Sequence, residues 1–233
     1  MRGLFLLSVL GLVSVSEAGL SLDLFYESLC PDSTRFISQQ IGPMHAALGQ
    51  DVTINFVPYG FASGVLKEER QLIQFVVLQT MGSAEEGYQF ECQHGPDECY
   101  GNLVQACTIA HAPDYDTTVN RIVCMMSASR PNEAGPDCFQ EIGLDYQPIL
   151  VNDYKNVEGK LKTLLLQDCI ESGEGAGLHA ANGEEQGSQS PQVTNVPWSN
   201  FNGEHILEYW EIEETGLTAF ICAVFDIDVP SCS

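Results

Sequence analysis

The chain has 233 residues, nine cysteines and a formal net charge of −23. So acidic a surface repels polyphosphate and anionic lipid, which makes nucleic acid and membrane surfaces poor partners. The length suits one large domain, or one domain with an insertion, able to bury a core without depending on cross-links.

Residues 1–18, MRGLFLLSVLGLVSVSEA, read as a secretory signal peptide. Arg2 supplies a basic start and Leu4 to Val15 an apolar run too short to span a bilayer. Ser16 and Ala18 are the small residues a signal peptidase reads, so cleavage is expected after Ala18. Residues 19–233 are then expected as a soluble, unanchored domain. Secretory routing with abundant cysteine argues for disulfides, and an odd count leaves at least one thiol without an intramolecular partner. Sequence alone does not choose the pairing. No N-x-S/T acceptor occurs, so N-linked glycan is not expected and delivery by a mannose tag is disfavoured.

Leu20 to Leu29 predict a buried strand with Leu22, Leu24 and Phe25 in its core. After Ser33 the period changes. Ile37, Ile41, Met44 and Leu48 fall on one helical face, with Pro43 expected to kink that helix. Val52 to Val57 alternate as a second strand, completing a βαβ unit with a parallel pair. Val65 to Thr80 read as helical, Cys92 to Cys107 as part loop and part helix, and Val119 to Ser127 and Tyr154 to Gln167 as helices. Ser172 to Gln192, rich in Gly, Ser, Gln and Glu, read as a mobile loop. Val193 to Trp198 predict a short strand, Asn202-Gly203 a type I′ turn, and His205 to Ile212 the returning strand. Leu217, Phe220, Ile221 and Val224 mark a closing helix. The order βαβ, a long middle, then ββα is an α/β fold on the thioredoxin plan: a thioredoxin-like domain over 19–233 with a helical insertion at about 62–190.

The chemistry concentrates at Cys30-Pro31-Asp32-Ser33. A cysteine between a strand and a helix N-terminus sits among free backbone N–H groups that favour the thiolate. Pro31 suits the first helical position, where its missing N–H costs nothing. Asp32 works against the thiolate. By itself a C-x-x-S match is weak, and a structural cysteine before a turn is the plainer reading; topology and the odd cysteine bring the two to parity. Pro197, at the start of the last hairpin, stands where a thioredoxin-like fold puts a cis-proline beside the active cysteine, although X–Pro bonds are mostly trans.

The most specific stretch is Cys92-Gln93-His94-Gly95-Pro96-Asp97-Glu98-Cys99-Tyr100-Gly101-Asn102-Leu103-Val104-Gln105-Ala106-Cys107. Read on its own, Cys92, His94, Cys99 and Cys107 suggest a zinc set, but the spacing lacks paired C-x-x-C knuckles, and disulfides are the better reading in an oxidising compartment. His94 has no assigned role. The block resembles the signature C-Q-H-G-x-x-E-C-x-x-N-x-x-x-x-C of the gamma-interferon-inducible lysosomal thiol reductase family at every fixed position. Val57-Pro58-Tyr59-Gly60, Val123-Cys124-Met125, His179-Ala180-Ala181-Asn182 and Val196-Pro197-Trp198 before Asn202-Gly203 look similar as well, in the family's order.

The resemblance implies a thioredoxin-like fold with a helical, disulfide-bonded insertion. It also implies reduction of protein disulfides at acidic pH in endosomes and lysosomes, in support of proteolysis, antigen processing and innate immunity. It places the nucleophile at Cys30 and the proline partner at Pro197. Cys92, Cys99, Cys107, Cys124, Cys138, Cys169, Cys222 and Cys232 remain as candidates for structural disulfides, and no metal or bound cofactor is expected. One departure stands out: the family's second active-site cysteine is Ser33 here. A hydroxyl cannot release a mixed disulfide, although it can donate a hydrogen bond to a thiolate. The expected route is therefore monothiol, with free cysteine, glutathione or a substrate thiol as the resolving partner. An ordinary thiol is only about 0.03% ionised at pH 5, so work in acid requires a site that favours the thiolate strongly. The competing expectation is a secreted, disulfide-stapled binding protein on the same scaffold. Secretion and lysosomal delivery, the substrate and the oligomeric state are not legible.

Overall fold

The computed structural model describes residues 19–66, 88–140, 166–225 and 230–232. The signal-peptide reading and most of the helices expected over Val65 to Thr80 and Tyr154 to Gln167 lie outside those residues.

Strand β1, Leu20–Tyr26, runs through the middle of a three-stranded sheet. Strand β2, Val52–Pro58, pairs with it in parallel, from Leu20 opposite Val52 to Tyr26 opposite Pro58. Strand β5, Trp198–Phe201, pairs with its other edge in antiparallel fashion, Leu22 opposite Phe201 and Phe25 opposite Trp198. Sitting between two strands explains the composition of β1: a central strand is covered on both faces and tolerates few polar side chains.

The helical connection between β1 and β2 has three parts: α1, Pro31–Phe36; a π-helical stretch, Ile37–Ile41; and α2, Gly42–Leu48. Pro43 has no N–H for the carbonyl one turn back. The chain absorbs this just before the proline, where the Gly42 N–H bonds to Ile37 O, five residues back. The expected distortion is thus a widened turn. Ile37, Ile41 and Met44 are fully buried beneath it, and Leu48 almost so.

Between β2 and β5 come a two-stranded antiparallel ribbon, β3 (Ser63–Leu66) and β4 (Tyr88–Glu91), and the helices α3 (Pro96–His111), α4 (Tyr115–Ser127) and α5 (Gly135–Gln140). After a helical stretch at 166–171 comes α6, Gly173–Gly187. The helix expected from Val65 begins instead as β3. The loop expected over Ser172 to Gln192 is largely α6, a correction whose cause is tertiary. Ser172 caps it, its Oγ accepting the Glu174 N–H at 3.2 Å. Asn182 donates to Pro58 O at 3.3 Å, and Gln186 exchanges hydrogen bonds with both backbone groups of Gly60. Glycine is a poor helix former. Here it permits close approach, because a Cβ at Gly183 would overlap the Tyr59 ring, and one at Gly175 would lie 2.7 Å from Cys169 O.

The last segment also departs from expectation. The strand begins at Trp198 rather than Val193. Asn202 and Gly203 do take positive φ, 51° and 80°, as a type I′ turn requires. Yet the return is a single bridge from Phe201 to Glu204. The chain then enters α7, Tyr209–Thr215, because Glu208 and Glu211 form a capping box that starts a helix where a strand was expected. Helix α8, Leu217–Val224, closes the fold as predicted, with Leu217, Phe220 and Ile221 buried. Among the described residues no helix is long and apolar enough to cross a membrane.

Candidate functional site

Cys30 is the N-cap of α1, four residues after Tyr26 ends β1. Pro31 occupies the first turn, and the Thr34 N–H bonds to Cys30 O at 2.9 Å, so the helix is closed directly behind the sulfur. The other eight cysteines are paired as Cys92–Cys99, Cys107–Cys169, Cys124–Cys138 and Cys222–Cys232, leaving Cys30 as the free thiol. Their sulfurs, committed to disulfides, cannot serve as thiolate ligands; this removes the zinc alternative at Cys92, Cys99 and Cys107 and equally bars Cys169 from a set with His111 and Glu174.

The Val196–Pro197 peptide is cis, and the Cys30 thiol points at Val196 O, 3.7 Å from Sγ. Strand β5 begins immediately after Pro197, and Trp198 lies opposite Phe25 in the register. The sheet itself therefore carries the cis-proline to the end of β1 from which Cys30 departs. Cys30 is 9% exposed. A second cis bond, Ser190–Pro191, carried no sequence signal.

Ser33 is fully buried, and its Oγ accepts the Glu27 N–H at 3.4 Å. The hydroxyl is thus engaged with the strand end rather than with the Cys30 sulfur. Asp32, expected to oppose the thiolate, is compensated. Arg35 lies 2.9 Å from it, and the Tyr209 hydroxyl donates to it at 2.6 Å. Burial and this bond to Asp32 push the Tyr209 phenol up to about 12, so it stays a donor at any physiological pH. Arg35 also pairs with Glu213 on α7, tying α1 to the closing segment. Tyr209 and Arg35 were not predicted; nothing local in the sequence links positions 32 and 209.

Beneath the loop that carries Cys30 lies the signature block. Asn102 accepts the Ser28 N–H at 2.9 Å, Glu98 O accepts the Ser28 hydroxyl at 3.1 Å, and Gln105 accepts the Tyr26 hydroxyl at 2.7 Å. Helix α3 thus grips β1 and the loop beyond it through side chains spaced one turn apart. His94 acquires a role: its N–H and Nδ1 both engage the Glu98 carboxylate, the latter at 2.5 Å, and Nδ1 lies 3.4 Å from Glu27 Oε2. The Cys92–Cys99 disulfide closes the loop that holds His94 there. Glu27 Oε1 accepts the Phe61 N–H at 2.7 Å.

A parallel βαβ unit, an antiparallel strand led in by a cis-proline, and a free cysteine capping the first helix define a thioredoxin-like thiol–disulfide protein. The chain belongs to a particular family of that class, Gamma interferon inducible lysosomal thiol reductase (GILT), whose model matches residues 21–142. It is 31% identical over 231 residues to GILT-like protein 1 of Drosophila melanogaster, covering 93% of this chain and 79% of the relative. It is 27% identical over 212 residues to the gamma-interferon-inducible lysosomal thiol reductase of Carassius auratus, covering 91% and 70%. Among solved structures it is similar to MdbA, a thiol-disulfide oxidoreductase from Corynebacterium diphtheriae, with a TM-score of 0.41, 13% identity, and 87% and 85% of the two chains covered.

Proposed function

We infer that the chain is a thiol reductase that opens protein disulfides in acidic endosomes and lysosomes, using Cys30 as a single nucleophile. The observation that carries this reading is one free thiol, capping α1 and facing the carbonyl before cis-Pro197, in a chain whose other eight cysteines are paired. The name of the Carassius auratus relative, a lysosomal thiol reductase, supports the activity and the compartment. Support for proteolysis, antigen processing and innate immunity follows from the same family reading, and secretion remains a second destination.

In the reaction the Cys30 thiol gives its proton to solvent, and the thiolate attacks one sulfur of a substrate disulfide. The Cys30–S–S–substrate bond forms as the substrate S–S bond breaks, and the departing sulfur leaves as a thiolate. Ser33 cannot complete the cycle. A small external thiol, free cysteine or glutathione, attacks the mixed disulfide and frees Cys30, and a second molecule of it reduces the resulting adduct. Two external thiols are oxidised for each substrate disulfide reduced. Pro197, without an N–H, leaves the approach over the sulfur free of a competing donor.

The test is reduction of a denatured disulfide protein at about pH 5 with millimolar free cysteine, comparing wild type with Cys30→Ser and Ser33→Cys. Wild type should exceed Cys30→Ser at least about tenfold and accumulate mixed disulfide at Cys30 when cysteine is withheld. Equal rates would refute the reductase reading. The near-closure of Cys30 favours the second reading, a disulfide-stapled binding protein, which predicts that equality.

A further inference from the structure

The signature block places two buried carboxylates side by side. Glu27 and Glu98 have no exposed side-chain surface, and His94, 35% exposed, is their way to solvent. A ring nitrogen of His94 and one carboxylate oxygen of each glutamate lie within 4.8 Å of one another. Carboxylates buried together cannot both stay ionised cheaply unless protons or cations lie between them. The His94 ring faces the Glu98 carboxylate through Nδ1, from which a proton can be donated to it. Glu27 Oε2 is left buried with no hydrogen-bond partner. A device needed only to tie a loop to a helix would be served by amides, as Asn102 and Gln105 show nearby.

We propose that Glu27, His94 and Glu98 form a proton-operated clamp on the loop that carries Cys30. A proton entering from solvent past His94 settles on Glu27 Oε2 and closes the clamp; its loss leaves two buried negative charges that push the loop and α3 apart. The clamp reaches the nucleophile through the backbone. The Glu27 N–H donates to Ser33 Oγ, and Ser28 is held by Asn102 and by the Glu98 carbonyl, two residues before Cys30. The groups facing the Glu27 carboxyl are Glu98 and His94 from the signature loop and α3, and the Phe61 N–H and Gly60 from the turn after β2. Burial holds the Glu27 carboxyl above its usual range and the Glu98 charge adds to this, against the Phe61 N–H and His94. The closed form therefore holds its proton more tightly than the open form. Acid favours closure, and that contribution is lost as pH rises through the closed-state value. These are positioning residues, and the proposal rests on Cys30 being the reactive thiol.

The test uses wild type and Glu27→Gln, whose amide mimics the protonated carboxyl, over about pH 4 to 8. Two quantities are measured: hydrogen-exchange protection of the Ser28 amide, corrected for intrinsic rate, and alkylation of Cys30 by neutral iodoacetamide. Wild-type protection should rise about tenfold from neutral to acid, with an inflection shared by the alkylation profile. In Glu27→Gln the protection should be flat within about twofold and that inflection absent, while the ionisation limb of Cys30 remains. Superimposable profiles would overturn the clamp. If Glu27→Gln does not fold, wild type decides alone: pH-independent protection of Ser28 overturns it. Zinc co-purifying with wild type and absent from Glu98→Gln would also overturn it, since a cation would then hold the place assigned to the proton. Amide protection does not depend on catalysis, so failure of the clamp is distinguishable from failure of the reductase reading, which Cys30→Ser reports.

Discussion

The place of Cys30 at a helix N-terminus was legible because a cysteine followed by proline where strand gives way to helix is a local pattern with a local physical consequence. Its surroundings were not legible, because they are built from residues distant in sequence. Asp32 read as a liability until Arg35 and Tyr209 were seen to share its charge. Replacing Arg35 with Gln leaves Asp32 with the phenol as its remaining partner and cuts α1 from Glu213. Alkylation of Cys30 at fixed pH should slow about two- to fivefold, as expected for partly exposed charges. An unchanged rate would show that Asp32 does not act on the sulfur. Ser33, the departure visible in the sequence, lies buried against the Glu27 N–H. In Ser33→Cys the new thiol starts one residue-turn from Cys30, and the disulfide assay should show faster turnover at low external thiol, where resolution limits the cycle. Turnover equal to wild type under those conditions would mean that position 33 cannot reach the mixed disulfide.

Elements with a strong period were read correctly: β1, β2, the apolar face from Ile37 to Leu48, and the closing helix all follow from spacing. Two of the misread elements went astray for opposite reasons. Helix α6 has a composition that argues against a helix, and it forms because its glycines let it lie against Tyr59 and the Cys107–Cys169 bridge. The segment after Gly203 has a hairpin turn signal, which the Glu208–Glu211 capping box overrides a few residues later. The α6 account is testable with a pair of substitutions. Gly183→Ala should destabilise the protein by about 1–3 kcal/mol in urea unfolding, since the added methyl meets the Tyr59 ring and overwhelms the gain in helix propensity. Gly177→Ala, with nothing near its added methyl, should be neutral or stabilising by up to about 1 kcal/mol. If both substitutions stabilise, close approach is not the reason for glycine in this helix.

Over the whole molecule, two buried groups set opposing responses to acid. His179 on α6 is fully buried between Tyr59 and Phe90, and burial pulls its imidazole down to about 4. A base held below its unfolded value near 6.5 stabilises the fold above that value, and the contribution is lost as pH falls from there toward 4. The loss amounts to at most about 3.5 kcal/mol. Glu27 acts in the opposite sense, favouring the fold in acid and withdrawing as pH rises. His179→Leu should therefore raise the melting temperature relative to wild type at about pH 4.5 and not at about pH 7.5. An unchanged acid limb would remove His179 from the balance. The same molecule has to survive its own kind of chemistry. Any catalyst that attacks cystine is a threat to its sister copies, whose cross-links are cystines too. Cys107 and Cys169 have no accessible surface and Cys138 has almost none. A neighbouring thiolate would have to melt the helices before it touched those sulfurs, and the Cys107–Cys169 bridge, closed to solvent at both ends, is the one best shielded from a sister copy.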